Sequence, residues 1–162
     1  IPIFVIGLVE QFFYPIFFAD KQDLDQQIIT KSQIKTSFGV FALVTLPMLA
    51  LSALTALVSE EIILLFSTAK FLEGAPLIPY LIAGYALTQC ARILQLAGLS
   101  KLESQQYVWP KFIQAVIMFG LFFALFPVYG LISIGYAVLV SSVVFTVILL
   151  IKNLLLYRAA QA

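Results

Sequence analysis

Apolar residues occur along the chain in long runs that are separated by short polar segments. The longest run covers residues 112–151 and contains no charged side chain. A single helix of that length would measure about 60 Å at a rise of 1.5 Å per residue, twice the hydrocarbon core of a bilayer. The sequence FPVYG at 126–130 interrupts the run. We therefore predict two membrane-spanning helices that are joined by a Pro/Gly turn.

Several stretches have the length and the apolarity of a membrane-spanning helix. They are residues 1–18, 38–58, 74–99, 108–126 and 131–151. Pro110 suits the first turn of the fourth helix, because its missing N–H would have no partner there. Residues 60–71 are too short and too charged to cross and are expected to form a short interfacial helix or cap. The predicted fold class is an all-α integral membrane bundle of about five transmembrane helices.

The most polar stretch of the chain, residues 20–37, precedes the second predicted helix. Leu24, Ile28 and Ile34 recur in it at roughly helical spacing. The stretch is either a solvated connector with a helical bias or an interfacial helix at the mouth of a cavity. We favour the connector.

Composition supports a membrane protein and excludes several other classes. Apolar residues make up 62% of the chain and charged residues 10%, with a mean hydropathy of +1.07, far from the composition of soluble domains. The net charge of +1 provides no basic field for a nucleic-acid partner. Histidine is absent and Cys90 is the single cysteine, so no disulfide, soft-metal site or cofactor is predicted. We find no catalytic constellation and expect a protein that is not an enzyme.

The basic residues predict how the chain is oriented. With five crossings, every lysine and arginine except Lys70 falls on one side of the membrane or in the helix ends next to it. Short loops rich in Lys and Arg stay in the cytoplasm, so the C-terminus is expected there. The chain then starts outside, at Ile1, within an apolar helix that lacks signal-peptide features. We expect residues 1–162 to be an internal or C-terminal piece of a larger membrane protein.

Polar residues at membrane depth are the candidates for a binding site. Gly7, Glu10, Gln11 and Tyr14 share one face of the first predicted helix. A carboxylate in the bilayer interior usually faces a partner or a wet cavity. Glu10 is therefore either part of a cavity wall or a protonated group that hydrogen-bonds to a neighbouring helix.

The third predicted helix carries a comparable stripe. Thr88, Arg92 and Gln95 lie at i, i+4 and i+7, with Gln89 beside them. The planar guanidinium could bind a phosphate, but Arg92 could equally extend its long side chain to the headgroups. Gln114, on the fourth helix, is expected to hydrogen-bond between helices rather than to a ligand.

Several short segments form a recognisable set: FYP at 13–15, EIILLF at 61–66, KFLEGA at 70–75, AGLSK at 97–101, FPVYG at 126–130 and GLISIGYA at 130–137. Together they resemble the C-terminal half of bacterial polysaccharide (O-antigen-type) flippases, within the multidrug/oligosaccharidyl-lipid/polysaccharide exporter superfamily. These are patterns of small and apolar residues, and Ser133 stands where glycine is commoner in the family. The resemblance implies that residues 1–162 are the C-terminal transmembrane lobe of a two-lobed transporter whose N-terminal lobe is missing here.

The resemblance also implies a function. A flippase would carry a polyprenyl-diphosphate-linked oligosaccharide across the bacterial cytoplasmic (inner) membrane for cell-surface polysaccharide biosynthesis, such as that of O-antigen and lipopolysaccharide. Its partners would be this lipid-linked oligosaccharide, the membrane lipids and the N-terminal lobe. The substrate-binding candidates are Glu10, Gln11, Gln89, Arg92 and Gln95, with Arg92 near the diphosphate and the glutamines near sugar hydroxyls. Two alternatives remain: a multidrug or cation antiporter coupled through Glu10, and an integral-membrane polysaccharide polymerase or ligase.

Overall fold

The computed structural model describes residues 31–99 and 105–159, and both ranges are helical throughout apart from short turns. No strand occurs in these two ranges. The elements in chain order are α1 (Lys31–Thr55), α2 (Ser59–Phe66), a 3₁₀ segment (Ala69–Gly74), α3 (Leu77–Leu99), α4 (Gln105–Tyr129) and α5 (Ile132–Ala159).

Among the described residues, α1, α3, α4 and α5 are long and apolar enough to cross a membrane. Many of their large apolar side chains are exposed, including Leu43 on α1, Phe123 on α4 and Ile151 on α5. Soluble monomers rarely expose apolar surface on this scale, whereas lipid-facing helices do so as a rule. The prediction of an all-α, multi-pass membrane fold is confirmed to this extent. The first predicted span, residues 1–18, lies outside the described residues.

Contacts between the helices establish their order and direction. The helix α3 packs against α1 and α5, and α5 packs in turn against α4. Ser52 on α1 donates a hydrogen bond of 2.9 Å to the carbonyl of Pro79 at the start of α3. Further along α3, Phe41 of α1 packs against the buried clusters that contain Cys90 and Leu94, so these two helices run antiparallel. Residues further along α3 contact residues further along α5, so these two helices run parallel.

As a result, the bundle has two ends of different charge. One end of the bundle contains the start of α1, the end of α3, the start of α4 and the end of α5. We call this the basic end. The described basic side chains on this side are Lys35, Arg92, Lys111, Lys152 and Arg158. At the opposite end lie Lys70 and the described carboxylates, Glu60, Glu61 and Glu73.

Two glycines allow α3 and α5 to approach closely. A Cβ on Gly84 would lie 2.8 Å from Val138 Cγ1 and 3.1 Å from the backbone of Leu139. A Cβ on Gly135 would lie 2.9 Å from Leu77 Cδ1 and Tyr80 Cβ. Membrane helices use small residues in this way because close van der Waals contact replaces the hydrophobic driving force. The α3–α5 pair is therefore the tightly packed centre of the described bundle.

The polar segment before the second predicted helix differs from the expected connector. The helix α1 already includes residue 31 and ends at Thr55, whereas residues 38–58 were predicted. Within the supposed connector, Ile34 is fully buried and packs against Leu156 and Tyr157 of α5. Hydropathy locates the apolar part of a helix, but here tertiary packing extends the helix through polar residues. Residues 20–30 lie outside the described part.

The ends of α4 also differ from the prediction. The helix covers 105–129 instead of 108–126, so Pro110 lies inside it and not in its first turn. Pro127 is likewise helical, and the turn consists only of residues 130–131. Gly130 has φ 57° and donates its N–H to Phe126 O at 2.9 Å, as in a glycine that terminates a helix. The chain direction is thus reversed by Gly130 and not by the proline.

The other predicted boundaries also change. The helix α3 begins at Leu77 instead of 74, and α5 spans Ile132–Ala159 instead of 131–151. Residues 60–71, predicted to be too short to cross, include most of α2 and the first half of the 3₁₀ segment. Glu60 and Glu61 lie in the first turn of α2, where negative charge is favourable for the helix dipole.

Candidate functional site

One face of α3 carries polar side chains that no described helix covers. Tyr85, Gln89 and Arg92 lie at i, i+4 and i+7, and we call them the α3 polar face. Tyr85 is 40% exposed, Arg92 is exposed and Gln89 is half-buried. The guanidinium of Arg92 donates a hydrogen bond of 3.1 Å to Gln89 Oε1. This hydrogen bond holds the guanidinium of Arg92 next to the amide of Gln89 on one face of α3.

The neighbouring face of α3 contributes to a hydrogen-bonded cluster of three helices. Thr88 Oγ1 of α3 donates to Ser142 Oγ of α5 at 2.9 Å, and Ser142 donates to Val138 O at 2.7 Å. Gln114 Nε2 of α4 donates to Thr88 Oγ1 at 3.0 Å, with Ser142 Oγ at 3.5 Å. We call Gln114, Thr88 and Ser142 the polar node. It satisfies polar groups at membrane depth and joins α4 to the α3–α5 pair.

Near the basic end, Lys111 of α4 lies against α5. Its Nζ lies 5.0 Å from the ring centroid of the buried Phe145 on α5, within the range of a cation–π contact. The lysine is therefore held at the α4–α5 contact by an aromatic ring.

A buried amide links α3 and α5 close to the same end. Asn153 is fully buried, and its Nδ2 donates to Leu94 O at 3.0 Å and to Leu149 O at 2.9 Å. Its Oδ1 is buried with no hydrogen-bond partner. Leu94 and Leu149 also belong to the apolar core. The amide thus adds one interhelical bond to a contact that is otherwise apolar.

The structure brings together some of the residues that were predicted as a site and separates others. Gln89 and Arg92 are hydrogen-bonded neighbours, whereas Thr88 turns away from them into the polar node. Gln95 is half-buried, one turn beyond Arg92. The predicted residues Glu10 and Gln11 lie outside the described residues. Gln114 bonds between helices, as predicted.

Sequence reasoning missed two members of this region. Tyr85 is four residues before Gln89 and seven before Arg92, so helical spacing alone could have placed it on their face. Lys111 lies on a different helix from Phe145, and no pattern along the chain predicts that its ammonium lies over that ring. Only the packing of α4 against α5 brings them together.

The part of the chain that the structure describes contains neither a metal-binding cluster nor an exposed thiol. No group of three or more His, Cys, Asp or Glu residues there could hold a metal ion. Cys90 is a buried free cysteine that packs with Met48 and Ala86.

Comparisons of the chain with protein-family models, with curated proteins and with solved structures give no match.

Proposed function

We propose that this chain is a lobe of a membrane transporter that moves polyprenyl-diphosphate-linked oligosaccharide from the inner to the outer leaflet of the bacterial cytoplasmic membrane. The observation that carries the proposal is the α3 polar face. It presents a phenol, an amide and a guanidinium on a helix that crosses the membrane, and Gln89 and Arg92 are held in register by a hydrogen bond. Such groups bind sugar hydroxyls and phosphate oxygens.

The difficult step in this transport is to move the polar headgroup through the hydrocarbon core of the membrane. Moving unpaired polar and charged groups from water into hydrocarbon is strongly unfavourable, while the polyprenyl tail remains in lipid at no such cost. A transporter therefore needs a polar path through the membrane for the headgroup alone. The α3 polar face supplies one wall of such a path, on the side of α3 that faces neither α1 nor α5.

The distribution of charge supports the direction of transport. Short segments rich in Lys and Arg remain in the cytoplasm, so the basic end is assigned to the cytosol and Lys70 to the exterior. Arg92 then lies near the cytoplasmic leaflet, where the lipid-linked oligosaccharide would be collected. In this proposal Glu10, Gln11 and Gln95 line the same path, with Glu10 nearest the middle of the membrane.

Translocation by the intact protein in proteoliposomes tests the proposal. A fluorescent polyprenyl-diphosphate glycolipid is placed in both leaflets, and the fraction accessible to a membrane-impermeant quencher is followed over time. Arg92→Gln removes the charge and is expected to slow translocation by at least about tenfold, the loss of one charge-assisted contact of roughly 1.4 kcal/mol. Lys70→Gln removes a charge at the opposite end and is the matched control, expected to keep the parent rate.

Two results would contradict the proposal. One is a parent protein that does not accelerate translocation over empty vesicles, and the other is a parent rate in Arg92→Gln. Proton flux with export of cationic dyes that depends on Glu10 would favour the antiporter instead.

A further inference from the structure

We propose that Tyr80, Tyr129 and Tyr136 form a binding site for the pyranose rings of an oligosaccharide, at the end of the bundle opposite the basic end. We call these three residues the tyrosine cluster. One of them comes from each of α3, α4 and α5. The ligand is the glycan of the transported lipid, and that identity rests on the proposed function. The cluster shares no residue with the α3 polar face, so it is a second binding region.

The three rings converge on Tyr136, which contacts the other two. Its ring centroid lies 5.0 Å from that of Tyr80 and 5.7 Å from that of Tyr129. The interplanar angles are 69° and 90°, so both contacts are edge-to-face. In such contacts the positively polarised edge of one ring meets the negatively polarised face of another. Three helices thus fix the positions of three phenol rings relative to one another.

Two glycines next to the cluster allow this convergence. A Cβ on Gly135 would lie 2.9 Å from Tyr80 Cβ and 3.5 Å from Tyr80 Cδ2, so the absence of a side chain there lets Tyr80 lie against α5. Tyr129 is the last residue of α4 and directly precedes Gly130, whose φ of 57° begins the reversal into α5. That reversal lets the ring of Tyr129 meet the ring of Tyr136 near the start of α5.

The cluster is accessible at the level of the lipid headgroups. Tyr129 is 53% exposed, and Tyr80 and Tyr136 are half-buried. The apolar spans of α3 and α5 begin at Leu77 and Ile132, and that of α4 ends at Tyr129 itself. Each tyrosine therefore lies within four residues, or about 6 Å, of the end of a span. At this depth a phenol hydroxyl reaches the polar interface while its ring remains at the edge of the hydrocarbon.

The chemistry of the cluster suits a sugar ring. The C–H groups on the face of a β-linked pyranose pack against the negatively polarised face of an aromatic ring. Phenol hydroxyls both donate hydrogen bonds to sugar hydroxyls and accept them. A tyrosine that only anchors a helix at the interface needs no ring contact with tyrosines of two other helices. The convergence on Tyr136 therefore favours a binding site over three separate anchors.

The location of the cluster suits the last stage of transport. The proposed function assigns the basic end to the cytosol, so the tyrosine cluster belongs to the outer leaflet. Arg92 would collect the diphosphate at one end of the path, and the tyrosines would receive the glycan at the other. Sugar binding at the outer end would hold the headgroup there until the lipid diffuses away.

Equilibrium binding to the intact protein, in a detergent without a sugar headgroup, tests the site by native mass spectrometry. One probe is a polyprenyl diphosphate that carries a β-linked tetrasaccharide of N-acetylglucosamine, and the other is the same lipid without sugar. The parent should bind the glycosylated probe more tightly. Tyr136→Leu and Tyr129→Leu should each weaken that binding by about fivefold, the loss of one ring contact, and leave binding of the sugar-free probe unchanged. Tyr136→Phe keeps the ring and should lose less than Tyr136→Leu.

Phe126→Leu is the matched control. It removes an exposed aromatic ring from the same end of α4, but the ring partner of Phe126 is Phe122. Its binding of both probes should equal that of the parent.

Several results would overturn the site. They are equal binding of the two probes by the parent, an equal loss in Phe126→Leu, and tyrosine-dependent binding of a quaternary ammonium dye in place of the sugar. If Tyr136→Leu lowers the thermal stability of the protein, Tyr129→Leu decides, because its ring is the more exposed. A sugar-dependent loss in a protein that does not accelerate translocation would keep the site and reject the transporter. Arg92-dependent translocation with no preference for the glycosylated probe would do the reverse.

Discussion

The side-chain amide of Gln114 on α4 donates a hydrogen bond of 3.0 Å to the hydroxyl of Thr88 on α3. Both helices pack against α5, and neither packs extensively against the other. The bond therefore connects the two flanks of the bundle across the edge of α5, where Ser142 completes the node. It lies about one turn from Lys111 on α4 and about one turn from Arg92 on α3.

We expect the Gln114–Thr88 bond to stabilise the fold measurably. Interhelical hydrogen bonds in membrane proteins contribute roughly 0.5–1.5 kcal/mol. A double-mutant cycle with Gln114→Leu and Thr88→Val, measured by reversible unfolding in mixed micelles, should give a coupling energy in this range. Ser142→Ala is the third arm, since Ser142 contacts both residues. A coupling energy of zero would show that the side chains do not interact in the folded protein.

The close approach of α3 and α5 predicts different results for two glycine substitutions. Gly84→Ala should lower the free energy of unfolding by about 1–3 kcal/mol, because its methyl group would displace Val138 and the backbone of Leu139. Gly120→Ala on α4 is the matched control, since nothing lies within 4 Å of its Cβ position. That change should be neutral or stabilising by up to about 1 kcal/mol. Equal effects at the two positions would contradict the packing described for α3 and α5.

The buried amide of Asn153 predicts a clear order among its variants. Asn153→Leu removes the bond to Leu94 O but also removes the unpartnered Oδ1, so the free energy of unfolding should change by less than about 1.7 kcal/mol. Asn153→Asp places a carboxylate next to two carbonyl oxygens and should be destabilising by about 3 kcal/mol or more at neutral pH. Unfolding of both variants in the same detergent compares them directly. An aspartate variant as stable as the leucine variant would mean that the site is hydrated.

Hydrophobicity was enough to predict four helices within the described residues, because each apolar run is long enough to cross a bilayer. It did not predict their ends. The buried contact of Ile34 with α5 extends α1 through a polar segment, and this contact is not visible in a local pattern. Pro127 was interpreted as part of a turn, yet membrane helices tolerate proline where neighbouring groups compensate for the missing N–H. Gly130, which accepts a positive φ, ends the helix instead.

The candidate site was predictable only where its members share one helix. Gln89 and Arg92 were found from their spacing, and Tyr85 could have been. The same reasoning placed Thr88 with Arg92, whereas packing turns Thr88 toward Ser142 and leaves Arg92 on the uncovered face. The contact of Lys111 with the ring of Phe145 depends on how α4 packs against α5. A hydropathy pattern contains no information about that arrangement.

The location of the two ends of the bundle tests the central claim most directly, namely that α1, α3, α4 and α5 span a membrane with the basic end in the cytosol. Single cysteines are introduced as Lys70→Cys and Lys35→Cys in a Cys90→Ala background, and sealed cells are treated with a membrane-impermeant maleimide. We predict that the cysteine at position 70 is labelled in sealed cells and that the one at position 35 is labelled only after permeabilisation. Labelling of both positions from the same side, or of position 35 alone in sealed cells, would contradict the account.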